Sequence, residues 1–159
     1  MSLDDWILAL HVLSAFAYVA GIVLFWVLVI AVRRTDTPGD TIRLAPVVKV
    51  GNAVVGIGAG GTIVLGIWLA FSYGGYDIWD AWIIAALVLW FVAAATGRST
   101  GSEYMAGMRK AEELDAAGQT GPNAQLRQIN RTSKGLVMHV LSSLVVLLIL
   151  IDMIWKPGA

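Results

Sequence analysis

Four apolar runs, each long enough to cross a lipid bilayer as a helix, constrain this chain more than any other feature. They cover about residues 6–32 (Trp6 to Val32), 44–71 (Leu44 to Phe71), 78–96 (Ile78 to Thr96) and 135–155 (Gly135 to Trp155). A helix rises about 1.5 Å per residue, so roughly 20 apolar residues cross a hydrocarbon core of about 30 Å. No water reaches the backbone there, and a helix satisfies its own amides and carbonyls. The runs are apolar on all faces, which excludes the alternating strands of a transmembrane barrel. The expectation is an all-α, four-helix transmembrane bundle forming one domain over residues 1–159. With 58% hydrophobic and 14% charged residues and a mean hydropathy of +0.75, the composition agrees. The first run does not read as a cleaved signal peptide. It opens MSLDDW without a basic segment, is too long, and meets no small-residue cleavage site before Arg33-Arg34.

Charge orients the four spans. Arg33, Arg34, Arg43 and Lys49 flank the first connection, and Arg98, Arg109, Lys110, Arg127, Arg131 and Lys134 lie in the third. Of the 11 Lys and Arg residues, only Lys156 falls on the other side. Basic loops stay cytoplasmic, so both termini are expected to be extracytoplasmic. Trp6, Trp68, Trp79, Trp82, Trp155, Tyr73 and Tyr76 then fall near the outer boundary, as an interfacial aromatic belt does. Asp4, Asp5, Asp77, Asp80 and Asp152 are outer as well, an asymmetry that the formal net charge of zero conceals.

The connections carry little chemistry. The first holds Pro38-Gly39 as a helix breaker, and the second, around Ser72-Tyr73-Gly74-Gly75-Tyr76, reads as a tight outer hairpin. The third, residues 97–134, is the only long one. It is expected to be a solvated cytoplasmic connection with a helical piece over 103–117, broken at Gly121-Pro122, and a second piece leading into the fourth span. It is too short for an enzymatic domain.

There is no cysteine, which removes disulfides, thiolate metal sites, iron–sulfur clusters and covalent haem attachment. No nucleotide-binding loop, hydrolase elbow or zinc-protease helix is present, and nucleic acid is not an expected partner. Ionisable residues within spans are costly and hence functional candidates. They are His11, His139 and, nearer the span ends, Lys49 and Asp152, whose positions allow their charged groups to reach the interface.

Both histidines open the same tetrapeptide, HVLS, at His11 and His139. Ser14, Ala15, Tyr18 and Gly21 follow His11 at helical spacing and form a small and polar face. Ser142 and Ser143 follow His139, and Asn52 is a candidate partner for it. The first and fourth spans run in opposite directions, so equal depth from each start means opposite leaflets. The separation along the membrane normal is roughly 15–20 Å from the helical rise. One iron therefore cannot take both side chains. Three readings stay open: each histidine holds its own b-type haem, only His11 is a ligand, or both are structural. The second span adds Gly51, Gly56, Gly58, Gly60, Gly61 and Gly66, with a G-x-x-x-G at Gly56 to Gly60. Such a face serves close helix packing or a flat porphyrin or lipid-like quinone lying on the backbone.

The first span, LHVLSAFAYVAG, resembles a pattern in small bacterial membrane proteins. It consists of Leu10-His11, an aromatic at Tyr18, and Ala20-Gly21. The group includes CopD-type copper-resistance membrane domains and HemJ-type protoporphyrinogen oxidases. The chain is also similar, over nearly its whole length, to a family of predicted integral membrane proteins with no assigned function. The shared features are the first-span motif, Gly61 to Trp68, Trp82, and Met153-Ile154-Trp155-Lys156-Pro157. The resemblance implies a bacterial plasma-membrane location and a haem ligand at His11, and it is silent on His139. The leading expectation is a b-type haem protein of membrane electron transfer. In it His11 is the axial ligand, Ser14 and Tyr18 support it, and Gly21, Gly56 and Gly60 present a smooth surface. A non-catalytic accessory subunit of a homo-oligomer or larger membrane complex is the alternative. Transport of a metal or small solute ranks third, because the spans hold few polar residues.

Overall fold

The computed structural model describes residues 2–72 and 75–157. Tyr73 and Gly74 of the expected outer hairpin lie outside the described residues. Six helices follow one another: α1 (Leu3–Val32), α2 (Pro38–Ile42), α3 (Ala45–Ser72), α4 (Ala81–Ala116), α5 (Ala124–Asn130) and α6 (Ser133–Trp155). Four of them, α1, α3, α4 and α6, are long and apolar enough to cross a membrane. The all-α transmembrane bundle expected from the apolar runs is the observed fold.

Local chemistry sets the helix ends. Ser2 and Asp5 form a reciprocal capping box at the start of α1, with Ser2 Oγ accepting from Asp5 N–H at 3.2 Å and Asp5 Oδ2 from Ser2 N–H at 2.7 Å. Pro38 does not break the first connection but begins α2. Thr37 caps that helix through the N–H of Asp40, and proline in the first turn needs no N–H of its own. Pro46 lies in the first turn of α3 for the same reason.

The third connection departs most from expectation. The helical piece expected over 103–117 is present, but it is continuous with the third span: α4 runs unbroken for 36 residues, about 54 Å, well beyond a hydrocarbon core. No proline interrupts it. The hydroxyls that would favour a turn are bonded back into the helix: Thr96 to Val92 O at 2.9 Å, Thr100 to Thr96 O at 3.0 Å and Ser102 to Ser99 O at 2.8 Å. The helix ends at Gly118, whose positive φ of 73° lets Gln119 N–H return to Leu114 O at 3.0 Å.

Nor is this region merely a solvated connection. The extension of α4 packs against α2 and α5, with Ala111, Leu114 and Leu126 buried and Ile42 against them. Asn130, 1% exposed, donates to Thr35 and Thr41 hydroxyls at 3.1 Å each. Arg127 pairs with Asp36, Arg33 reaches Thr132 O at 2.9 Å and Arg131 reaches Arg33 O at 3.1 Å. These bonds join the first and third connections into one cap on the basic side of the bundle.

Within the membrane region the helices pair. α1 lies along α3 and α4 along α6, while the two pairs touch each other sparingly. The first pair is close because α3 offers glycine where α1 approaches. A Cβ at Gly58 would stand 2.3 Å from Tyr18 N, and one at Gly61 would stand 2.4 Å from Ser14 Oγ. The pairs meet through a core of Tyr18, Ala93, Val145, Val146 and Ile149. Two indoles also bridge them, Trp26 donating to Ser143 Oγ at 3.0 Å and Trp90 to Ala59 O at 3.2 Å. Large apolar side chains such as Phe16, Ile57, Val64, Phe71 and Ile154 stand exposed around the outside, as a lipid-facing surface requires.

Candidate functional site

Because the two helix pairs touch sparingly, a cavity of about 530 Å³ lies between them. All four long helices contribute, from Val19 and Trp90 at the deep end to Tyr76, Trp82 and Lys156 at the other, with His11 between them on α1. The cavity occupies the half of the bundle that carries the chain ends. Its lining is overwhelmingly apolar, and its volume falls in the range of small-molecule and cofactor sites.

His11 enters the cavity from α1 and is braced by α3. Its ring lies against the backbone of Thr62 and Gly66, where a Gly66 Cβ would come within 3.0 Å of the His11 Cε1. The hydroxyl of Thr62 is already committed to Gly58 O at 2.6 Å. Nδ1 is buried without a hydrogen-bond partner. The glycine at position 66 is what allows the imidazole to lie so close to α3.

The other candidate residues do not line this cavity. Ser14 donates to Leu10 O at 2.8 Å and packs on Gly61. Tyr18 is buried at the junction of the helix pairs, with its backbone on Gly58. Gly21 takes the side chain of Val55. All three hold α1 against α3. Gly56 and Gly60 face the other way, with nothing within 4 Å of either. The six glycines of the second span therefore divide into a packed face (Gly51, Gly58, Gly61, Gly66) and an open one.

His139 is in the opposite half. Its ring is 4.7 Å from that of Trp26, which lies 15 residues along α1 from His11, or about 22 Å of helix. It is 2% exposed, and its Nε2 has no partner. Asn52 is exposed on α3 and is not that partner. These neighbours place the two histidines in opposite halves of the bundle. Among the described residues, no three His, Cys, Asp or Glu side chains gather into a metal-binding group.

Several residues at the cavity's far end have a larger part than the sequence suggested. Trp82 belongs less to an exposed belt than to the interior, at 7% exposed, with its ring edge-on to Tyr76 at 5.2 Å. Asp152 does not reach outward. It is 7% exposed on the same α6 stripe as Val145 and Ile149, and its Oδ2 has no partner. Lys156 caps α6 in the left-handed conformation, with φ of 42°. Its Nζ donates to Tyr76 Oη at 2.5 Å and stands 4.4 Å from the Tyr76 ring centroid and 5.3 Å from that of Trp82. One signal was legible beforehand, since Lys156 is the sole basic residue on its side.

Fold and site together define a small four-span integral membrane protein with an apolar cavity between its helix pairs, partly open at its side where Phe16 and Ile154 stand exposed. A family described as predicted integral membrane protein (DUF2269) matches residues 5–157, and the chain belongs to it. No curated protein and no solved structure matches the chain.

Proposed function

We propose that the cavity is the binding site of a b-type haem, that the imidazole of His11 would hold its iron, and that the protein serves electron transfer in a bacterial plasma membrane. The observation that carries this reading is an imidazole with an unpartnered ring nitrogen in the lining of an apolar cavity of about 530 Å³. The residues present fit such a group. The imidazole is held from behind by α3, Trp82 and Trp90 offer flat walls, and Lys156 offers a cation to an acidic substituent. Bound iron would supply one-electron redox chemistry. The chain itself would orient the ligand: Ser14, Tyr18 and Gly21 keep α1 at its short distance from α3, and so fix where the imidazole stands.

A reduced-minus-oxidised optical spectrum of the purified protein tests this. A Soret band is expected, lost in His11→Ala and retained in His139→Ala. Absence of the band after haem supplementation, or an unchanged spectrum in His11→Ala, would reject haem ligation at His11.

A second reading, a non-catalytic accessory subunit, draws on Gly56 and Gly60. Their G-x-x-x-G face has no neighbour within 4 Å and offers a second membrane helix close approach. Under this reading both histidines tolerate Gln or Asn, and losses appear in assembly instead of in spectra.

A further inference from the structure

We infer that the end of the cavity at Lys156 is an anion site, and that the cavity's ligand is an amphiphile whose acidic group is held there while its apolar body lies between the helix pairs. The inference rests on the cavity being a ligand site, as proposed above, but not on that ligand being haem.

The chemistry of the cavity is uneven along its length. Apart from His11 and Thr62, the walls away from Lys156 and Tyr76 are aliphatic, glycine, methionine, phenylalanine and indole. Lys156 brings a full positive charge to the lining at one end only. An ammonium has three donors, and one is taken by Tyr76 Oη. No carboxylate of the described residues lies within ion-pair distance of Lys156. Two acids of the preceding connection are otherwise engaged. Asp80 Oδ2 accepts Asp77 N–H at 3.0 Å, and Asp77 Oδ1 accepts Trp79 N–H at 3.1 Å. Asp152, one turn before Lys156, is buried in α6 without reaching it.

A cation placed on two aromatic rings at the end of an apolar cavity favours an anion there, because the exchange replaces water with a charge-assisted hydrogen bond. The backbone of Lys156 is in a conformation that glycine adopts far more readily than a residue with a Cβ. A residue serving only to end α6 would not need the long cationic side chain. A neutral quinone would accept a hydrogen bond through its carbonyl but leave the charge unmatched, whereas a fatty acid or a porphyrin with carboxylate arms would occupy both the charge and the apolar volume.

Trp82 and Trp90 line the cavity, so a brominated ligand quenches their fluorescence when bound. The probes are dibromostearic acid and its methyl ester, titrated into the full-length protein in a neutral detergent. For the native chain the acid is expected to bind about tenfold tighter than the ester, the scale of one charge-assisted hydrogen bond. That preference should fall to near parity in Lys156→Gln, persist in Lys156→Arg and persist in His11→Ala. Ester binding that is equal in the native chain, Lys156→Gln and Lys156→Arg would show that the cavity is intact. An undiminished acid preference in Lys156→Gln, no preference in the native chain, or no quenching by either probe would overturn the inference. Haem ligation is judged separately by the Soret band and its dependence on His11. Haem can therefore fail while the anion site stands, and the anion site can fail while haem stands.

Discussion

Glycine 58 and glycine 56 are two residues apart on one helix and have opposite fates. A Cβ on Gly58 would meet the Tyr18 backbone at 2.3 Å, and backbone cannot step aside, whereas Gly56 has nothing within 4 Å. Gly58→Ala is expected to destabilise the bundle by about 1–3 kcal/mol, as overpacking does. Gly56→Ala should be neutral or slightly stabilising, since alanine is the better helix former. Thermal unfolding of both variants in detergent checks the pair, and equal melting temperatures would contradict the packing described. The two histidines differ in the same manner. Their identical tetrapeptides do not predict that one ring lines a cavity while the other is packed on Trp26. Each fate depends on what a neighbouring helix places opposite, glycine at Gly66 or indole at Trp26, and no periodicity within one helix records that.

At the scale of elements, the apolar runs located every membrane helix to within a few residues at most ends, because burial in lipid demands length and hydrophobicity and little else. They failed beyond the membrane. The polar segment 97–116 is helical because no proline interrupts it, residues 103–116 are mostly good helix formers, and α2 and α5 cover one side of it. Asn130 is the hub of that cap. Asn130→Ala removes both bonds to Thr35 and Thr41 and should cost about 1–3 kcal/mol locally, the price of leaving buried groups unpaired. The expected readout is faster proteolytic cleavage between residues 117 and 132, with the membrane helices unaffected. Unaltered cleavage would show that the cap is held by its apolar contacts alone.

For the whole molecule, pairing of α1 with α3 and of α4 with α6 is the decisive property, because a gap between pairs is what makes the cavity. The same arrangement gathers ten basic residues at one end and leaves Lys156 at the other. If that basic end is cytoplasmic, labelling has a clear expected result, helped by the absence of native cysteine. A membrane-impermeant maleimide should label Ser2→Cys in intact cells and Gln119→Cys only after permeabilisation. The reverse pattern would invert the topology.

The four spans, their helical nature and the opposite placement of the two histidines follow from the sequence by itself, since hydropathy, helical rise and alternation of direction are properties of a chain in a bilayer. Which glycines are packed, which histidine meets a cavity, and that Lys156 shares that cavity's lining were decided only by tertiary structure. These depend on the rotation of each helix about its own axis and on the distance between pairs. In an all-apolar helix no polar stripe encodes that rotation, so it is set by contacts between segments far apart in the chain.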